Sequence, residues 1–260
     1  MGSIYITGDM GDIWERTRQP DGTKLNRIEY FDNSIFVTCD ESRTLRSDND
    51  GRSWSSSVVS EDNLDLKSIE FSDNNSGFIL GNSMTDNNNA VIYTDDAGIT
   101  WKEGFVTKKV LHDICFPGNN YGILLVEDKV LFTNDRGLNW IESDSEIKPA
   151  YVRLFFLDKD LGWAVGKENG IWKTGNSGKT WDELSSISDL KINDVFFIDN
   201  TKGWAVGNNG LFLYTTDGGS SWYKLETGIL EDYISVFFIN YETGMVGGRN
   251  GTLLKVEILP

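Results

Sequence analysis

Short apolar runs and polar breaks alternate along the whole of this chain. Runs such as "SIEFSD", "RLFFLD" and "DVFFID" are rich in β-branched and aromatic residues. Each is followed within a few positions by a glycine-led apolar stretch such as "GFILG" or "GWAVG". Asn, Asp and Gly punctuate the intervals, and no stretch of ten residues carries the period of an amphipathic helix. These are marks of short antiparallel strands joined by tight turns. Aligned on the apolar runs, one unit reads as four strands; in the unit around Trp222 they are predicted at 192–198, 203–206, 211–215 and from Trp222 onward.

A second pattern sits between the third and fourth strand of each unit: Ser/Thr-x-Asp/Asn-x-Gly-x-x-Trp. It occurs six times, ending at Trp14, Trp54, Trp101, Trp140, Trp181 and Trp222, at spacings of 40, 47, 39, 41 and 41. Its acidic or amide positions are Asp9, Asn49, Asp96, Asp135, Asn176 and Asp217. The glycine supplies the positive φ of a tight hairpin turn, and the hydroxyl and carboxylate bond within the loop. The tryptophan is expected to pack on the next sheet, which makes the motif a structural clasp rather than catalytic machinery.

About 40 residues and four strands per unit is the signature of a β-propeller blade. The fold class is therefore all-β, a propeller of four-stranded antiparallel blades forming a single domain over residues 1–260. The first segment supplies strands 3 and 4 of a blade and the last supplies strands 1 to 3. A blade shared between the termini gives six blades; the duplicated strand 3 leaves a count of seven open.

Formal charge is −16 over 260 residues. Nucleic-acid affinity comes mainly from Lys and Arg on phosphates, so this balance argues against that partner. It also offers no basic patch for anionic lipid. No apolar run approaches membrane-spanning length. Cys39 and Cys115 lie in strand-like runs and read as buried free thiols. No phosphate loop, Cys-x-x-Cys or nucleophile elbow appears, and "SDNDG" lacks the acidic first ligand of a calcium loop because Arg46 stands there. No cofactor and no metal is expected.

The six motif copies resemble the Asp-box, or BNR, repeat of sialidase-like propellers. The longer string "GWAVG…G-x-x-x-x-T-x-D-x-G-x-x-W" looks most like the propellers of the photosystem II assembly and stability factor family. That resemblance implies a non-enzymatic, protein-binding propeller of an exported compartment, periplasmic or cell-surface, that assists complex assembly. In that family binding is associated with an arginine-rich patch, whereas the nine arginines here are scattered.

Candidate binding residues come from the positions opening each first strand, which the propeller pattern sets around the channel mouth. The aligned column is Arg27, Ser68, Asp113, Arg153, Asp194 and Ser235, with His112 one position before it and Tyr151 and Tyr233 two before. Two readings stand: a charge network with Arg153 between Asp113 and Asp194, or a ligand site of mixed polarity. The Asn82–Asn89 stretch is an Asn-rich insertion between strands 2 and 3, either a mobile tip or a specificity loop. The expected protein is a monomeric, non-enzymatic scaffold with a protein partner or glycan. A carbohydrate-binding or sialidase-like glycoside hydrolase propeller is the alternative, which would need two carboxyls across a cleft.

Overall fold

The computed structural model describes residues 2–18, 22–118, 120–127, 129–142, 151–166, 170–184 and 190–258. Among the described residues helix is confined to one 3-10 turn at Arg249–Gly251, and the rest is strand and turn. The chain divides into two compact units, Met1–Glu127 with Leu131–Glu142, and Asp128–Val130 with Ser143–Pro260.

The first unit opens with a two-stranded sheet of β1 (Tyr5–Ile6) and β2 (Glu15–Arg16). Three four-stranded meanders follow. They are β3 (Leu25–Phe31), β4 (Ser34–Cys39), β5 (Arg43–Ser47) and β6 (Ser55–Val58); β7 (Leu64–Phe71), β8 (Gly77–Ser83), β9 (Asn89–Thr94) and β10 (Lys102–Thr107); and β11 (Leu111–Gly118), β12 (Tyr121–Val126), β13 (Lys129–Thr133) and β14 (Ile141–Glu142). The second unit holds β15 (Tyr151–Phe156), β16 (Gly162–Gly166), β17 (Ile171–Thr174) and β18 (Asp182–Leu184), then β19 (Ile192–Phe197), β20 (Gly203–Gly207), β21 (Phe212–Thr215) and β22 (Tyr223–Lys224). A three-stranded sheet of β23 (Tyr233–Phe238), β24 (Thr243–Gly248) and β25 (Leu253–Glu257) ends it.

Every pairing is antiparallel between neighbours in sequence, so the fold is all-β and built of propeller blades, as the repeat predicts. Counted by strand position, five blades are complete and a sixth is divided: β1 and β2 are strands 3 and 4, and β23 to β25 are strands 1 to 3. The first piece is a two-stranded sheet and the last a three-stranded one.

Within each unit, neighbouring blades are joined by one aromatic contact, repeated. The ring on strand 2 of one blade rests on the last phenylalanine of strand 1 in the next. Phe78 stacks on Phe116 with centroids 4.1 Å apart, Trp163 on Phe197 at 3.5 Å and Trp204 on Phe238 at 3.5 Å; Phe36 meets Phe71 at 4.8 Å, tilted. The glycine that opens strand 2 makes room for that phenylalanine: a Cβ on Gly162 or Gly203 would lie 2.6 or 2.5 Å from Phe156 or Phe197. This is why "GWAVG" begins with Gly and continues with Trp.

Candidate functional site

The six boxes are built alike. The hydroxyl of the first residue donates to the side chain of the third: Thr7 to Asp9, Ser47 to Asn49, Thr94 to Asp96, Thr133 to Asp135, Thr174 to Asn176 and Thr215 to Asp217, at 2.7 to 3.0 Å. The same hydroxyl accepts from the amide of the box glycine. The third side chain then accepts an amide four residues on. The glycine and the residue before it both have positive φ, as at Ala97 (59°) and Gly98 (77°), so each turn reverses within two left-handed residues.

Asp and Asn bond the side chain four positions later in opposite senses. Asp96 receives the Thr100 hydroxyl at 2.6 Å, and Asp135 receives the Asn139 amide at 2.7 Å. Asn49 and Asn176 instead donate to the hydroxyls of Ser53 and Thr180, each at 2.8 Å. The Thr100 side chain and amide, chiefly, hold the Asp96 carboxyl at about 2. Asp9, Asp135 and Asp217 are lowered in the same way, led by bonds from Ile13, Asn139 and Ser221 respectively.

The box turns dock on the strand 1–2 hairpin of their own blade, where Ala97, Arg136, Ser177 and Gly218 donate their amides to Asn75, Asn120, Asp160 and Thr201. The box tryptophans differ from expectation. Their rings stand edge-on to their own blade's strand-1 phenylalanine, Trp101 to Phe71, Trp140 to Phe116, Trp181 to Phe156 and Trp222 to Phe197. Trp54 reaches back to the Thr17 hydroxyl at 2.8 Å, not on to the following blade. The reason is that strand 2 of the preceding blade already occupies the position: Gly98, Gly137 and Gly219 lie under Phe36, Phe78 and Trp163. Burial grades with this packing, from Trp222 at 5% exposed to Trp14 at 36%.

The polar column opening the first strands is largely engaged between adjacent blades. In the first unit Ser68 donates to Asp113 Oδ1 at 2.9 Å. In the second, Arg153 Nε pairs with Asp194 Oδ1 at 3.2 Å, and the Val236 amide donates to Asp194 Oδ2 at 3.0 Å. Asp113 and Asp194 are buried, and Arg27 and His112 are half-buried. Tyr151 begins β15, and its side chain lies outside the described residues. Tyr233 is not a mouth residue. It is fully buried, its hydroxyl held by Thr227 and Ile229, because its column is the apolar one of Leu25, Leu66 and Ile192.

One position before the column, Asn26 and Asn193 clip neighbouring blades by donating to the Leu66 and Tyr233 carbonyls at 2.9 and 2.7 Å. The insertion behaves as a tied loop. Asn82 exchanges two bonds with the Leu111 backbone, Asn89 accepts from the Ser83 amide, and Ser83 Oγ bonds Asp86.

Two positions further along strand 1 lies a row that the sequence reading missed. In the first unit it reads Glu29, Glu70, Cys115; in the second, Phe155, Phe196, Phe237. Desolvation pushes the Glu70 carboxyl to about 8, reinforced by Glu29 and Asp113 and opposed by Arg27. Glu29 rises to about 7 through desolvation against Arg27. The Cys115 thiol, 3.9 Å from Glu70 Oε1, is pushed up by burial and by Glu70. The three phenylalanines form an edge-to-face ladder at 5.4 and 5.1 Å. Continuing the alignment by two residues would have found both halves of this row.

Similar proteins fit this geometry. The family described as "Photosynthesis system II assembly factor YCF48" matches residues 133–228 and 186–257. Among solved structures, "YCF48 bound to D1 peptide" is 16% identical, with 95% of this chain and 97% of that chain covered and a TM-score of 0.55. YCF48 from Cyanidioschyzon merolae is 15% identical over 94% and 98%, with a TM-score of 0.59. A GH74 xyloglucanase from Xanthomonas campestris is 11% identical with a TM-score of 0.69, covering 98% of this chain but 46% of that one. No curated protein matches the chain. The repeated boxes and the blade pattern agree with these matches: over residues 133–257 the chain is similar to the YCF48 family, and its fold is that of the YCF48 propellers.

Proposed function

We propose that this chain is a non-enzymatic binding scaffold that recognises a protein partner and assists assembly of a complex. The observation that carries the reading is the state of the polar column. Asp194 spends both carboxylate oxygens on Arg153 and the Val236 amide, and Asp113 accepts from Ser68. A hydrolase acid must be free to give a proton and its partner free to attack or activate water. Here those carboxylates hold neighbouring blades together. The relative solved with a bound D1 peptide and the assembly-factor description of the matching family support a protein ligand, and the exported address is part of the same proposal.

The test is affinity capture from native cells with crosslinking, alongside incubation with sialosides and plant polysaccharides. A specific protein partner and no sugar release are expected; released sugar overturns the reading.

A glycan-binding reading has one observation in its favour, the Phe155, Phe196 and Phe237 ladder, with Phe237 56% exposed. Aromatic faces of this kind suit sugar rings. Binding on a glycan array that disappears in Phe237→Ala would select it over a protein ligand.

A further inference from the structure

Two blades place a cation on the box of the blade that follows. Arg46, the residue before the Ser47 hydroxyl, spans from the Asp48 carboxylate at 2.7 Å to the Ala97 carbonyl at 3.0 Å. Lys173, the residue before the Thr174 hydroxyl, reaches the Gly218 carbonyl at 3.1 Å. Ala97 and Gly218 each stand immediately before a box glycine. In the first box the residue before the Thr7 hydroxyl is Ile6, and the matching carbonyl in the next box belongs to Asp50. Isoleucine has neither the length nor the donor to serve it.

At that place there is a cavity of about 480 Å3, lined by Ile6, Gly8, Ile13, Glu15, Asp50 and Arg52, all within the first unit. Among the described residues no hydrogen bond or ion pair engages the Glu15 or Asp50 carboxylate or the Arg52 guanidinium. Asp9 is also on the wall, but its carboxylate is spent within its own box. The blade of β15 to β18 shows the same surroundings with a cation in them. There Gly175 stands for Gly8 and Asp182 for Glu15, and Lys173 lies opposite Asp182 as Ile6 lies opposite Glu15. The repeat fills this place with the strand-3 side chain, and in β1 that side chain is Ile6 itself.

We propose that this cavity takes the side chain of an arginine from a basic segment of a protein partner. This deepens the protein-binding reading and rests on it. The guanidinium bonds the Glu15 carboxylate and the Asp50 carbonyl, as that of Arg46 bonds the Asp48 carboxylate and the Ala97 carbonyl. Its apolar stem runs along Ile6 and Ile13. A lysine brings the same charge on a single point and cannot bridge two acceptors in this way. Three carboxylates on the wall outweigh Arg52, and the −16 charge of the whole chain draws a basic segment towards it.

The probe is acetyl-arginine-methylamide, titrated into the full chain with the NMR shifts of the Gly8, Asp9 and Asp50 amides as the reading. Saturable shifts are expected, and the citrulline analogue, alike in shape but neutral, should bind about ten-fold more weakly or worse. Glu15→Gln combined with Asp50→Asn should weaken binding about ten-fold; Asn tolerates the φ of 57° at position 50. Arg52→Ser, which places there the residue found at Ser220, should strengthen it about two-fold. Ile6→Arg supplies from within what Arg46 supplies in the next blade, so it should abolish binding and raise Tm. Glu103→Gln on exposed β10 removes a carboxylate elsewhere and should bind as wild type does. No saturable shift, or equal binding by the citrulline analogue, overturns the proposal. So does unchanged affinity in the Glu15→Gln, Asp50→Asn double variant, which decides the matter even if Ile6→Arg does not fold. Cellular capture separates the two levels: a partner held equally by wild type and the double variant sinks the arginine cavity but keeps the protein-binding reading, and no partner with either sinks that reading.

Discussion

Trp163 lies flat on Phe197, ring centroids 3.5 Å apart and planes 9° from parallel, joining one blade to the next. The Trp163 indole also donates to the Gly218 carbonyl at 3.2 Å, inside the box of that next blade. The Lys173 ammonium reaches the same carbonyl at 3.1 Å. Arg46 repeats this in the first unit by donating to the Ala97 carbonyl at 3.0 Å. A box therefore closes its own hairpin and receives the neighbouring blade.

Removing a buried box tryptophan should cost far more than removing an exposed one. Trp222→Ala is expected to lower stability by about 3–5 kcal/mol, as large-to-small core changes do. Trp14→Ala, at the 36% exposed end of the series, should cost less than about 1 kcal/mol. Equal shifts of the urea midpoint in the two variants would refute the clasp.

The Arg153–Asp194 pair predicts a loss of stability on truncation. Asp194 is 8% exposed, and Arg153→Ala would take the guanidinium away from its carboxylate. A partly buried ion stripped of its partner costs about 2–4 kcal/mol. Thermal melting reads that loss, while partner binding should persist if the column is structural; binding lost at unchanged stability would make it a ligand site.

Much of this was legible in the sequence, for a definable reason. A blade repeats both its turn chemistry and its alternation, so strand order, the six boxes and even the limits of β19 to β22 followed from spacing. Tyr233 was misread because a tyrosine among Leu and Ile looked like a polar exception, while its hydroxyl in fact finds Thr227 inside the core. Glu29 and Glu70 were passed over because alternation alone does not say how deep an inner-strand carboxylate lies. The exposure of Ile28 and Tyr30 was equally hidden, since both match the core pattern of the other blades.

Glu70 makes stability depend on pH in an uncommon direction. Its folded value of about 8 lies above the unfolded value near 4.5, so the folded chain holds the proton more tightly. Stability should be full below about pH 4.5 as far as this group is concerned, and fall as pH rises towards 8. Glu29, at about 7, acts in the same sense, its desolvation opposed by Arg27. Glu70→Gln should flatten the decline in Tm between pH 5 and 8; an unchanged slope would show that Glu70 is ionised in the folded state.

The boxes predict the opposite trend at low pH. Asp96 is depressed to about 2 from 3.8, so its contribution is present above about pH 4 and is lost as pH falls towards 2. Asp96→Asn should keep the turn, because Thr100 can then accept as Thr180 does from Asn176, and should blunt the acid transition. An acid midpoint identical to wild type would remove Asp96 from that transition.

The stacked pair of tryptophan and phenylalanine has a consequence for how such a chain arises. Of the five whole units, four carry on strand 2 the ring their successor needs, Phe36, Phe78, Trp163 and Trp204, with Ile123 in that place in the β11–β14 unit, and all five carry on strand 1 the ring their predecessor needs. A tandem duplication of one of those four thus arrives with both halves of its joint already matched, and the number of units can change without new surface chemistry having to evolve.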